Sequence, residues 1–119
     1  IYNITVGRNE TFDGTQWRNV SRRSTLPNLT ASTSQSQGNG LLTADLSIFT
    51  TVANDDDTAT LPPATPGIIR MIIHKGNKKL QLFPNTGDDL GEGVDQPILL
   101  AKENSFVFHC LDTTNWEIL

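Results

Sequence analysis

The chain has 119 residues, with 9 basic and 13 acidic side chains and a net charge of −4. That length is one domain's worth, and the acidic balance argues against nonspecific nucleic-acid binding, which needs clustered Lys and Arg to displace counterions. A single cysteine rules out an internal disulfide, and no run approaches the ~20 apolar residues of a bilayer-crossing helix.

The sequence begins at Ile1 with no visible signal peptide, so a processed product, a fragment or an unseen start is expected. Ile1 to Val6 alternates like a strand, with Tyr2, Ile4 and Val6 on one face and Asn3 and Thr5 on the other. Gly7, Asn9, Asp13 and Gly14 then punctuate the chain. Phe12, Trp17 and Val20 stand isolated in a polar context, next to the one basic cluster, Arg18, Arg22 and Arg23. An isolated aromatic of this kind either docks into a partner's groove or forms a lid on its own core. From Ser21 to Gly40 neither helical nor strand period is visible, and Ser, Thr, Gln, Asn and Gly dominate. Such a stretch buries too little apolar area to offset its ordering entropy alone. Residues 1–40 are therefore expected to form an extended arm ordered by another chain, and residues 41–119 the folded domain.

Apolar runs crowd into the remainder. Ser47 to Ala53 is expected as a strand, Asn54 to Asp57 as a solvated turn, and Thr58 to Leu61 as a short return strand. Pro62, Pro63 and Pro66 force an extended connector. Gly67 to His74 is the clearest strand, rich enough in Ile to imply burial on both faces or nearly so. Lys75 to Lys78 fits a tight hairpin turn leading into Lys79 to Phe83. Gln96 to Ala101, Ser105 to Leu111 and Asn115 to Leu119 complete the set, with Trp116 capping the core. Short strands at this spacing imply an all-β fold, an antiparallel sandwich or jelly-roll-like barrel preceded by the arm.

No constellation announces a reaction. The acidic loop Asn85 to Asp95 offers Asp88, Asp89, Glu92 and Asp95 as oxygen donors, but their spacing does not match a calcium loop, and a solvated turn is the expectation. His74 and His109 sit in apolar strands without a further cluster for zinc. His109 and Cys110 are adjacent, so on a strand they point to opposite faces, which disfavours a nucleophile pair. No glycine-rich phosphate loop opens a helix. Four Asn-x-Ser/Thr acceptors, at Asn3, Asn9, Asn19 and Asn28, are not read as modified, because neither a secretory signal nor paired cysteines accompany them. Catalytic residues, metal and cofactor are thus all expected to be absent.

A pattern runs through the dense half. It comprises Leu61-Pro62-Pro63-Ala64-Thr65-Pro66-Gly67, then Ile68 to Ile73, Leu80 to Pro84, Gly87-Asp88 and Gly91 to Gly93. The Ile98 to Ala101 run, Phe106 to Cys110 and Trp116 follow. It resembles a domain of bacteriophage virion proteins found in head-decoration, head-fibre and tail-fibre components, over roughly half the chain. The resemblance implies a non-enzymatic structural protein of the capsid surface or a fibre, oligomeric and often trimeric, whose partners are other virion subunits rather than nucleic acid or membrane. With the arm, it gives the expected function: a capsid decoration or fibre-type component docking on neighbouring subunits through Tyr2, Phe12, Trp17, Arg18, Arg22 and Arg23. The alternative is a receptor- or glycan-binding module at a virion surface, with Tyr2, Trp17 and Trp116 stacking on sugars. A small hydrolase using His74 or His109 is the remote third.

Overall fold

The computed structural model describes residues 24–119, together with the backbone of two short strands nearer the N-terminus. Those two, β1 (Glu10–Phe12) and β2 (Trp17–Asn19), pair antiparallel with Phe12 opposite Trp17. Eight strands follow: β3 (Thr25–Thr30), β4 (Leu46–Thr51), β5 (Asp57–Thr60), β6 (Ile69–His74), β7 (Leu80–Phe83), β8 (Ile98–Leu100), β9 (Asn104–Cys110) and β10 (Trp116–Ile118). No helix occurs among the described residues. The eight strands form two sheets, a five-stranded one in the order β10-β9-β6-β4-β3 and a three-stranded one in the order β5-β7-β8.

One core serves both sheets. Phe49, Ile72, Phe108, Cys110 and Trp116 of the larger sheet cluster with Ala59, Leu80, Leu82 and Leu100 of the smaller one. Phe108, Ile72, Leu80 and Leu82 are completely buried, each worth about 1.5–3 kcal/mol relative to exposure. Alternation decides which residues enter. On β6, Ile72 and His74 are buried while Ile69, Met71 and Ile73 are half-buried on the opposite face. The dual burial expected for this strand is therefore complete on one face only.

The all-β class expected from the sequence holds, but the sheets are mixed, which corrects the antiparallel arrangement expected of the sandwich or jelly-roll-like barrel. β3, β4 and β6 run parallel to one another, as do β5 and β7, while the β6–β9, β9–β10 and β7–β8 pairs are antiparallel. The cause is that the chain changes sheet between β4 and β5, again before β6, and again before β7. Asn54 to Asp57 and Lys75 to Lys78 are consequently crossings between sheets, not hairpin turns. Strands that meet after such a crossing are free to pair parallel.

The boundary expected at residue 40 also moves. β3 pairs with β4 in the same ladder, Thr25 opposite Leu46 and Leu29 opposite Phe49. Ala31 and Leu42 are buried in the core. Between them the polar segment runs along β5, with Ser32 bridging Thr58 and Leu41 bridging Thr60. Its side chains supply what apolar area does not. Gln35 donates to Asp57 and to the Asp55 carbonyl, and Gln37 donates to Asp95 and to the Pro84 carbonyl. The Gly38 N–H meets Thr60 Oγ1, which in turn donates to the Asn39 carbonyl at 2.7 Å. Low hydrophobicity pointed to an arm; hydrogen bonding to a sheet edge overrides it. Residues 24–40 thus belong to the domain, and any arm is confined to residues 1–23.

Gly40 closes this segment with φ of 63°, and a Cβ there would strike the Thr58 carbonyl oxygen and the Ala59 backbone. Gly40→Ala is expected to destabilise the domain by about 2 kcal/mol, read as a lowered urea midpoint with unchanged slope; an unchanged midpoint would show that the edge does not depend on this approach.

Candidate functional site

His74 ends β6 fully buried. Its Nδ1 accepts the Gly76 N–H at 3.1 Å, which leaves the ring proton on Nε2 to be donated to the Lys78 carbonyl at 2.6 Å. Gly76 is required by the close approach, since a Cβ would lie 2.9 Å from Val52 and 3.0 Å from the imidazole. Both ring nitrogens are thus engaged in building the β6–β7 crossing.

His109 and Cys110 lie on opposite faces of β9. Cys110 is buried opposite Trp116, whereas His109 sits on the outer face opposite Glu117 and Ile69. The Cys110 thiol donates to the Asp112 carbonyl at 3.0 Å, and burial pushes it up from its ordinary value. A buried thiol held up in this way is a poor nucleophile.

The acidic runs are more structured than the solvated turns expected of them. Asp57 is fully buried and accepts the Asn54 N–H and the Gln35 side chain. Asp55 accepts the Lys79 N–H. In the 85–95 loop, buried Asp88 accepts the Ala64 N–H at 2.8 Å, tying the loop to the proline connector. Asp89 accepts the Gly91 and Gly93 N–H groups. Asp95 accepts the Gly87 N–H at 2.6 Å and the Gln37 amide at 3.0 Å; these two bonds, the first above all, hold its carboxyl below the ordinary value. Glu92 alone of the four candidate donors is exposed and accepts no such bond. Among the described residues no three of His, Cys, Asp and Glu gather as a metal-holding group.

Trp116 is 3% exposed, so it is closed to stacking on a sugar. The other arm and aromatic candidates are only partly placed. Phe12, Trp17 and Arg18 lie on the β1–β2 hairpin, with Arg18 opposite Thr11 in register. Tyr2, Arg22 and Arg23 fall outside the described residues.

The most distinctive surface is the outer face of the five-stranded sheet. Register places Thr25, Leu46, Met71 and Val107 in one line across β3, β4, β6 and β9. Leu119 prolongs that line, its N–H donating to the Val107 carbonyl at 2.8 Å. Ile48 and Ile73 flank the line on one side and Ile69 on the other. The result is an apolar stripe over β4, β6, β9 and the C-terminal residue, half-buried except for Leu119 at 68% exposure, with exposed Thr25 at its β3 end. None of these side chains belongs to the core cluster. The isoleucine-rich run from Ile68 to Ile73 carried the signal; what it lacked was the register that lines up residues from four other strands.

Comparison with family models, with curated proteins and with solved structures finds no match to this chain.

One titration follows from the β9–β10 turn. The Thr114 backbone N–H, the Asn115 side-chain amide and the Asn115 N–H hold the Asp112 carboxyl at about 2, down from 3.8. A depressed carboxyl contributes stability that is full above its unfolded value and fades as pH falls through the folded one. The Asp112 contribution is therefore expected to disappear between pH 3.8 and about 2. Asp112→Ala should lower stability at pH 7 and flatten the stability-against-pH slope in that window; an unchanged slope in denaturation at graded pH would contradict it.

Proposed function

We propose that the chain is a non-enzymatic virion structural protein, a small β-sandwich domain of the capsid-decoration or fibre type that assembles with neighbouring subunits, its own copies included, through the segment 1–23. The observation that carries this reading is how the chemistry-bearing side chains are used. His74, Cys110, Asp57, Asp88, Asp89, Asp95 and Asp112 all bond to the chain's own backbone in crossings and turns. The surface left over for interaction is apolar rather than catalytic, a stripe at half-burial where a solvated sheet face would alternate to polar residues. The sequence pattern of a Pro-Gly entry, short strands, a Gly-Asp loop and a late Trp points the same way. In this reading the segment 1–23 is the docking arm, with Tyr2, Phe12, Trp17, Arg18, Arg22 and Arg23 as its contacts and a homo-oligomer, a trimer by the resemblance, as the working unit. A short arm bearing a few aromatics gains affinity by wrapping over neighbours, and orders as it binds. The glycan-binding alternative is weakened by the burial of Trp116, one of its three aromatics.

The test separates two truncations. Removing residues 1–23 should leave a cooperatively unfolding domain that no longer incorporates into particles. Removing residues 1–40 should abolish cooperative unfolding as well, since β3 and the cover of β5 go with it. Normal incorporation of the shorter truncation in a particle-assembly assay would overturn the docking role.

A further inference from the structure

We infer that the apolar stripe on the outer face of the five-stranded sheet is the seat for residues 1–23 of a second copy of this chain. The inference rests on the assembly reading above and names the surface that the arm occupies.

Three observations on different levels lead there. The first is the stripe itself: Leu46, Met71, Val107 and Leu119 aligned across four strands, with Ile48, Ile69 and Ile73 beside them and nothing in the described core reaching them. Adjacent strands lie about 4.8 Å apart, so four strand positions make the stripe about 14 Å long. The second is the arm's composition and pairing. The sequence Ile1 to Val6 alternates, and an extended run of that length would span about 20 Å at about 3.3 Å per residue, enough to cross the stripe. The β1–β2 hairpin forms its own two-stranded sheet, with Phe12 opposite Trp17. A two-stranded hairpin is marginal alone in water and needs an apolar surface to lie on.

The third observation is where the arm leaves the domain. Ser24 is clamped at the start of β3: its carbonyl accepts the Leu46 N–H at 3.0 Å, its N–H meets Asp45 Oδ2 at 3.2 Å, and its hydroxyl accepts the Asp45 N–H at 3.0 Å. Asp45 is itself fixed by Arg70 at 2.8 Å. Ser24 therefore continues the line of β3 past the end of the sheet. The described domain thus begins at the free end of β3, the edge strand of the large sheet. With 23 residues, a reach of up to about 75 Å when extended, the arm is long enough to cross to a neighbour. Exchange of arms between copies gives each stripe its cover and each arm its surface.

The experiment uses the full chain. A photoreactive p-benzoylphenylalanine replaces Leu119, which is 68% exposed and lies in line with the stripe. Unlabelled and 15N-labelled protein are unfolded, mixed, refolded together and irradiated, and the cross-linked peptides are identified by mass spectrometry. The expected result is cross-links from position 119 to peptides within 1–23, about half of them of mixed isotope as random exchange requires. Cross-links confined to residues 24–119 of another copy, isotopically pure links to the chain's own arm, or no link to the arm each overturn the inference. Leu119→Lys provides a second measure: it should weaken self-association by about tenfold with an unchanged urea midpoint, and unchanged association counts against the seat. Native mass spectrometry of the unmodified chain separates the two levels of the account. An oligomer with cross-links elsewhere removes the seat and leaves the assembly reading standing, whereas a strict monomer removes both.

Discussion

The constraint on which the rest depends is the repeated change of sheet. Between β4 and β7 the chain crosses from one sheet to the other three times, and each crossing leaves backbone N–H groups outside any ladder, next to a buried polar side chain, Asp57, Asp88 or His74. A buried polar group without a partner costs about 1–3 kcal/mol, so each crossing needs its own side-chain supply. Asp57 serves the first and Asp88 the second. His74 serves the third. The polar segment before β4 does the same for the open edge of β5. The residues a reader would first suspect of chemistry are thus placed where a shuttling chain has to be tied down.

This also explains the distribution of apolar residues. Inner-face positions of both sheets fill a single core that includes Phe49, Phe108, Leu80 and Leu82, and the crossings contribute little besides Val52 and Leu61. Outer positions of the small sheet are polar and covered on β5, where Thr58 and Thr60 are buried, and open to solvent on β8, where Leu99 is 52% exposed. Outer positions of the large sheet carry Leu46, Ile48, Ile69, Met71, Ile73 and Val107 instead. The core accounts for the folding of residues 24–119; it does not account for that second apolar row, which is the feature the proposed assembly draws on.

Much of the fold was legible in the sequence because it depends on local signals. The strands at Leu46, Ile69, Leu80, Ile98, Asn104 and Trp116 fall within two residues of where apolar alternation and turn residues put their starts. Pairing was not legible. Asn54-Asp55-Asp56-Asp57 and Lys75-Gly76-Asn77-Lys78 have hairpin composition, yet both are crossings, because the choice between turning back and changing sheet is made by distant partners such as β3 and β9. The segment from Ser24 to Gly40 misled for a related reason. Its lack of apolar residues is real, but Gln35, Gln37, Gly38 and Asn39 are ordered by hydrogen bonds to β5 and the acidic loop, which no local count reveals. The candidate interface was half legible: β6 showed an excess of isoleucine, while the contributions of Leu46, Val107 and Leu119 emerge only from register.

The central claim, that side chains tie the crossings, has a direct measurement in amide hydrogen exchange. The N–H groups of Asn54, Ala64 and Gly76 lie outside every strand and donate to Asp57, Asp88 and His74. If these bonds hold the crossings, the three amides exchange as slowly as strand amides such as that of Ile72, opening only with the domain as a whole. Exchange at the rate of free loops, with the strands still protected, would contradict it.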